Sequence, residues 1–295
     1  MNLAKDAKND EFYTLYEDIE KEISNYDLAG KAIYCNCDDV SFSNFFKFFM
    51  DKVDEVRFKR VIFSGLNVKY FTIIDNVEGI LSVERREMVG NGDFRSDECV
   101  EMLKASDVVV TNPPFSLFRE YVSQLVKYDK KFVVVGNYNA VTYKEIFKLI
   151  KQNKLWLGLN GVKKFRKPNG EFQKFGNVNW FTNISAGRIT PKLVLTKCYN
   201  HEDYQKYDNY DAIEVSKVKD IPVDYDGAMG VPITFLKKYN PEQFEIVGLL
   251  DDKREKSDGL IHGTPTYLDE KHKKCVGAVL NNKAKYSRII IKHKK

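Results

Sequence analysis

The sequence predicts an α/β fold built on a doubly wound, mostly parallel sheet. Three observations carry that expectation. Short, unbroken apolar runs recur through the first two-thirds of the chain, at Ala32–Cys35, Val61–Phe63, Val108–Val110 and Phe132–Val135. Runs so short and so apolar suit strands buried on both faces, as in a parallel sheet. Segments of helical period lie between them, and strand–helix alternation is what doubly wound architecture requires.

In chain order, Thr14-Leu-Tyr-Glu17 fits a capping box and predicts a helix carrying Leu15, Ile19 and Ile23. After the first apolar run, Phe42, Phe45, Phe46 and Phe49 form one helix face ahead of the Val61–Phe63 strand. Between Lys69 and Met88 the alternation breaks. Tyr70–Ile74, a turn over Asp75–Gly79, and Ile80–Val83 predict an inserted hairpin. The Val108–Val110 strand is followed by a helix whose apolar face is Phe118, Tyr121, Val122 and Leu125. Behind the Phe132–Val135 strand, Thr142-Tyr-Lys-Glu145 fits a second capping box, with Tyr143, Ile146, Phe147 and Ile150 on one face.

After about Tyr199 the texture changes to turn-rich sequence dense in tyrosine, aspartate and lysine, as in Tyr204–Val215, Val223–Pro232 and Asp251–Pro265. A core of residues 1–198 and a β-rich or irregular region of residues 199–295 are therefore expected, the latter ending on a strand from Arg288.

Composition narrows the function classes. With 295 residues, 43% hydrophobic and 30% charged, the chain has the make-up of an ordinary globular protein with a sizeable core. A net charge of +5 permits a polyanionic partner without demanding one. The five cysteines (Cys35, Cys37, Cys99, Cys198, Cys275) include no CxxC pair, and the four histidines form no HxH or HExxH pattern. No metal is expected, and reduced thiols fit a cytoplasmic setting. The N-terminal stretch has no apolar signal core and no run approaches ~18 apolar residues, so neither export nor membrane insertion is expected.

Asn112-Pro113-Pro114-Phe115 is the stretch that ordinary structure explains least, because two prolines forfeit two backbone donors between a strand and a helix. In open α/β sheets ligands gather at the carboxyl ends of strands, where this turn falls. The prolines hold the turn rigid and leave the Asn112 side-chain oxygen and the Pro113 carbonyl as acceptors. Two acceptors suit an amino group with two hydrogens and a delocalised lone pair. Accepting both N–H bonds stabilises the positive charge that grows as such a nitrogen attacks an electrophile. Phe115 offers a flat apolar surface for a planar group. The construction reads as an amino-methyltransferase site. Adenine, guanine and cytosine amines and a protein glutamine amide all remain possible acceptors, and a merely rigid turn is the bland alternative.

Several blocks in fixed order resemble the EcoRI modification-methylase family of adenine-specific DNA methyltransferases. They are Asn9–Thr14, Tyr34–Asp39, Gly92–Ser96, Thr111–Tyr121, Asn179–Asn183, Tyr207–Ile213 and Asp226–Ile233. That resemblance implies a Rossmann-like core, S-adenosylmethionine as methyl donor, and adenine N6 in double-stranded DNA as acceptor. It implies Asn112, Pro113, Pro114 and Phe115 as the catalytic turn. It also implies donor contacts from Phe12, Tyr13 and Thr14, from Cys35, Asn36, Cys37 and Asp38, and from Asp93 and Phe94. The loop after the first strand contains no glycine, unlike the wider superfamily. Ser64-Gly-Leu-Asn67 stands where the usual ribose-binding acid would be, so Asp38 or Asp39 is expected in that role.

An adenine amine inside a duplex must be flipped out to react, so the chain needs cations for phosphate. Gly161–Gly170 is a basic, aromatic-interleaved stretch in which Lys163, Lys164, Arg166 and Lys167 are expected to touch the DNA backbone from a loop. A solvated lysine-rich turn is the alternative. Target recognition is expected of residues 199–295, although no helix-turn-helix or zinc-finger pattern occurs there. A monomer is expected, with a cognate restriction endonuclease as a functional partner only. A DNA-binding relative without catalysis is the rival of a different class. A dinucleotide oxidoreductase ranks last, since no G-x-G-x-x-G follows a predicted strand.

Overall fold

Continuous apolar runs of three or four residues have nowhere to go but the middle of a sheet, and that is where they lie in the computed structural model. Residues 13–167, 170–184, 190–251 and 277–294 are described. The chain divides into two units, one of residues 1–140 and 155–186, the other of residues 141–154 and 187–295. The division falls at residue 186 rather than 198, and the segment 141–154 joins the second unit.

In chain order the first unit contains β1 (Tyr13–Thr14), α1 (Tyr16–Ile23), β2 (Ala32–Cys35), α2 (Asn44–Asp51), α3 (Val53–Val56) and β3 (Arg60–Phe63). β4 (Tyr70–Val77), β5 (Ile80–Glu87), α4 (Asp97–Ala105), β6 (Val108–Thr111), α5 (Phe118–Lys127) and β7 (Lys131–Asn137) follow. After α6 (Lys144–Lys151) of the second unit come β8 (Trp156–Arg166) and β9 (Phe172–Thr182).

One nine-stranded sheet runs β1-β8-β9-β7-β6-β2-β3-β4-β5. Its centre, β7-β6-β2-β3, is parallel, with Ile33 opposite Val108 and Ile62 opposite Tyr34. Antiparallel pairs extend it on both sides: β4 and β5 beyond β3, and β9, β8 and β1 beyond β7. The chain leaves β2 toward β3 and leaves β6 toward β7, so the strand order reverses between β2 and β6. Loops after these two strands therefore diverge at a topological switch point.

Against the sheet, α2 buries Phe45, Phe48 and Phe49, and α5 buries Phe118, Tyr121, Val122 and Leu125. Each such side chain contributes about 1.5–3 kcal/mol by leaving water. Phe42, expected on the α2 face, precedes the helix and is exposed.

The hairpin is real but longer than its apolar residues suggest. It turns in two residues, Glu78 and Gly79, both at positive φ (52° and 85°) as a tight hairpin requires. The first capping box does not form, and α6 starts one residue later than its box suggests. Thr14 is drawn into β1 opposite Phe165, leaving Leu15 as N-cap of α1, and α6 is capped by Tyr143; neither makes a side-chain cap bond.

In the second unit, α6 buries Ile146, Phe147 and Ile150. A four-stranded sheet runs β10-β11-β15-β12, from β10 (Ile213–Glu214), β11 (Met229–Pro232), β12 (Phe244–Leu250) and β15 (Arg288–His293); β13 (Val279–Leu280) and β14 (Lys283–Ala284) pair separately. A buried Arg288–Glu214 ion pair at 2.9 Å ties β15 to β10. The turn-rich stretch expected over Asp251–Pro265 lies outside the described residues from Asp252 onward, as do His262, His272 and Cys275. Among the described residues no helix is long and apolar enough to cross a membrane.

Candidate active site

At the carboxyl end of β6 the Asn-Pro-Pro-Phe turn takes the position its sequence demands. Thr111, the last strand residue, is fully buried; Pro113 is buried, and Asn112, Pro114 and Phe115 are half-buried. Pro114 sits at φ −60°, ψ 125°, and its carbonyl accepts Leu117 N–H at 3.1 Å in a short turn over Phe115–Leu117 that leads into α5. The helix thus begins at Phe118. Gly136 of β7 makes this entry possible, since a Cβ there would lie 2.4 Å from the buried Phe118 ring. The Phe115 ring packs edge-on to Phe165 of β8 at 6.2 Å, so one part of it rests on the core.

The loop after β2 reaches across the switch point to this turn. Asp38, buried, accepts Thr111 Oγ1 at 2.5 Å and Ser43 Oγ at 2.8 Å, and its N–H donates to Ser64 carbonyl at 2.8 Å. Ser43 is the N-cap of α2, and its hydroxyl oxygen also accepts the N–H groups of Phe45 (3.0 Å) and Phe46 (3.3 Å). The first residue of α2, Asn44, donates to the carbonyl of Thr14 at 2.7 Å. Strand β1, the β2 loop and the Asn-Pro-Pro-Phe turn are thereby joined through the start of one helix. Burial pushes the Asp38 carboxyl up to about 6, while the two hydroxyls hold it from rising further.

The other expected donor residues divide by environment. Cys35 is in the core, and burial raises the thiols of Cys35 and Cys37 well above the ordinary range, so neither is a poised nucleophile. Asn36 is 1% exposed and its Oδ1 accepts Tyr121 Oη of α5. Tyr121 stacks edge-on with Phe94 at 5.0 Å, and Gln124 Nε2 donates to the Phe94 carbonyl at 3.1 Å. Phe94 is consequently buried against α5 rather than displayed. Asp93 is paired bidentately with Arg95 (2.7 and 2.9 Å), whose guanidinium holds its carboxyl below the ordinary range. Arg95 reaches on to Glu120 of α5 at 3.3 Å. Phe12 lies outside the described residues.

Two buried polar atoms test whether a donor molecule fits here. Asn36 Nδ2 and Thr14 Oγ1 have no hydrogen-bond partner among the described residues. A buried polar atom left unpaired costs about 1–3 kcal/mol, and such atoms are common where a ligand supplies the missing partner. Both belong to the segments expected to hold S-adenosylmethionine, and the residues fit that group. No cluster of ligating side chains able to hold a metal occurs among the described residues.

The basic stretch is a β-hairpin, not a loop. Lys163, Lys164 and Arg166 lie on β8, and Lys167 begins the turn, paired weakly with Glu171 at 3.8 Å. The register shifts between Val162–Val178 and Lys164–Lys174, where β9 carries two more residues than β8, and Lys163 and Lys164 are both exposed between buried Val162 and Phe165. Lys164 stands directly opposite exposed Lys174 of β9. Like charges in that register repel. At its base the hairpin is held by buried Glu22 of α1, which accepts Leu159 N–H (3.0 Å) and Asn160 N–H (2.8 Å) across a second register shift.

Sequence reasoning missed Ser43 and Asn44, and it named Thr111, Tyr121, Arg95 and Lys174 without their partners in the site. Of the two missed, Ser43, a serine directly before a phenylalanine-rich helix, carried a local signal.

Comparison with known proteins adds an independent finding. The family model described as adenine-specific methyltransferase EcoRI matches residues 1–294. The chain is 42% identical to the type II methyltransferase M.EcoRI of Escherichia coli, over 100% of this chain and 96% of that protein. It is 41% identical to the type II methyltransferase M.MgeORF184P of Mycoplasma genitalium, over 99% of this chain and 98% of that protein. It is 40% identical to the type II methyltransferase M.MpnI of Mycoplasma pneumoniae, with the same 99% and 98% coverage. No solved structure matches this chain.

Proposed function

Because the chain belongs to the EcoRI family of adenine-specific methyltransferases, and is therefore an S-adenosylmethionine-dependent DNA adenine methyltransferase, we propose how its residues divide the work of the reaction. The donor, when bound, supplies an electrophilic methyl on a sulfonium. Thr14 and Asn36 would hold it with their buried polar atoms, together with Tyr13 and the Asp93–Phe94 segment. Asn112 Oδ1 and the Pro113 carbonyl accept the two N–H bonds of adenine N6. These acceptors stabilise the charge that grows on nitrogen as it takes the methyl, and the two prolines keep them from turning away. Phe115 braces the base.

The adenine reaches this turn by leaving the duplex, since its amine is otherwise paired and stacked. Cations of the β8–β9 hairpin, Lys163, Lys164, Arg166 and Lys167, neutralise phosphates, and Lys174 joins them because a polyanion relieves its repulsion with Lys164. The core is read as a Rossmann-like methyltransferase fold and residues 199–295 as the target-recognition region.

One observation carries this reading: the Asn-Pro-Pro-Phe turn stands at the carboxyl end of β6, at the switch point, with the β2 loop bonded to Thr111 directly before it. Its test is Asn112→Ala. Methyl transfer to DNA is expected to fall at least ~100-fold while DNA affinity changes little, as for loss of a donor or acceptor acting on the transition state. Equal loss of both would make Asn112 a structural residue.

A further inference from the structure

The Asp38 carboxylate has both oxygens committed inside the protein. One accepts the hydroxyl of Thr111, the residue immediately before Asn112; the other accepts the hydroxyl of Ser43, the cap of α2. Ser43 has no freedom to reverse that bond, because its oxygen already takes two N–H groups of the helix and its one proton goes to Asp38. Asp38 N–H is itself fixed to Ser64 carbonyl. Thr111 is 0% and Ser43 7% exposed, so water does not offer either hydroxyl an easy substitute. Among the described residues no cation is paired with Asp38; the titratable groups facing it are the thiols of Cys35 and Cys37 and the phenol of Tyr121 on α5, all raised by burial and so neutral.

We propose that Asp38 is a positioning residue for catalysis: by clamping the Thr111 and Ser43 hydroxyls it sets the end of β6, and with it the direction in which Asn112 presents its oxygen. The two prolines make the clamp effective. A stiff turn passes the orientation of Thr111 on to Asn112, whereas a flexible one would absorb it. This assigns Asp38 a role other than the ribose contact its sequence position suggests. It rests on the reading of Asn112 as the amine-holding residue.

Full-length Thr111→Val, Thr111→Ser and Asp38→Asn are compared with the parent, using S-adenosylmethionine labelled in its methyl and unmethylated genomic DNA. Thr111→Val keeps the shape of the side chain and removes the proton. Its kcat is expected to fall ~10-fold or more, as small misplacements of reacting groups do, with KM for DNA and affinity for the donor within ~3-fold. Thr111→Ser restores most of the rate. The acid limb of the kcat–pH profile moves to higher pH in Thr111→Val, since a group that favours the charged carboxylate is gone, and disappears in Asp38→Asn. Donor affinity falling in step with kcat would instead make Asp38 a donor ligand, and an unchanged kcat would end the proposal. Should Thr111→Val fail to fold, Ser43→Ala removes the other hydroxyl and is judged by the same outcomes. An inactive Asn112→Ala beside a fully active Thr111→Val overturns this inference alone; an active Asn112→Ala overturns the reading beneath it.

Discussion

Replacing Asp38 by asparagine should stabilise the fold at neutral pH while impairing the enzyme. The carboxyl is buried and burial lifts it from an ordinary 3.8 to about 6, against the opposing pull of the Thr111 and Ser43 hydroxyls. The folded chain therefore binds this proton more tightly than the unfolded chain does. Between about pH 4 and 6 the folded state carries more of it, so stability falls as pH rises through that window and levels off above it. A difference of about two units at 1.36 kcal/mol each puts the cost of the charged form near 3 kcal/mol at pH 8. Asparagine never ionises, but it offers one acceptor oxygen where the carboxylate offers two, so one hydroxyl contact is lost or reversed at about 1 kcal/mol. The net gain is of order 1–2 kcal/mol at pH 8, shrinking to nothing or below by pH 4. Urea unfolding of both proteins at pH 4.5, 6 and 8 reads it directly, because other titrating groups cancel in the difference. A variant that is less stable at pH 8, by an amount that does not change with pH, would show that no charge is being held in the interior. A gain in stability alongside a loss of turnover is the trade expected of a group retained for activity.

Two further outcomes follow from the geometry. Gly92→Ala is expected to cost about 2–3 kcal/mol and to weaken donor binding, because φ is +76° and the new Cβ would sit 2.0 Å from Gly65 carbonyl oxygen; thermal melts and equilibrium dialysis with labelled donor measure both. Lys164→Ala and Lys174→Ala should each reduce the salt-dependence slope of DNA binding by about one, and an unchanged slope in the double variant would leave the hairpin without a phosphate contact.

What the sequence made legible was what local pattern controls. Four apolar runs became the four parallel strands, and the Phe118–Tyr121–Val122–Leu125 stripe is the buried face of α5, because burial on that scale overrides everything else nearby. The hydrophobic alternation of β8 was harder to see, since a register shift against β9 falls at Lys163, where two lysines in a row lie on the surface, and the stretch then passes for a loop. Thr14 looked like a helix cap because the box Thr-x-x-Glu is a local signal. Pairing with Phe165, more than 150 residues away, removed it from the helix. Asp38 and Thr111 are 73 residues apart, and nothing in either neighbourhood announces their bond. Phe94 and Asp93 were legible as a turn between two elements, yet the partners that consume them, Tyr121 and Arg95, are set by packing on α5.

The missing glycine-rich loop after the first strand also has an answer in these contacts. Such loops use glycine so that backbone can come close to a ligand and to the neighbouring turn. Here the close approach occurs one and two loops later. Asp38 N–H bonds Ser64 carbonyl, and Asn67 N–H bonds Asn91 carbonyl at 2.6 Å, so the turns after β2, β3 and β5 are layered on one another. A Cβ on Gly65 would meet Asp38 backbone at 3.6 Å and Val68 at 3.3 Å, and one on Gly92 would strike Gly65 backbone outright. The glycines that permit tight packing have moved beneath the loop, which frees the loop itself to carry side chains. Asn36 and Asp38 fill that space with directed hydrogen bonds, one toward Tyr121 on α5 and two toward Thr111 and α2. A loop of this kind cannot cradle a ligand with successive backbone N–H groups as a glycine loop does. On the proposed reading it holds the donor through side chains that are already fixed, and donor affinity is then expected to depend on Asn36 more steeply than in a glycine-loop enzyme; equilibrium dialysis of Asn36→Ala with labelled donor measures it.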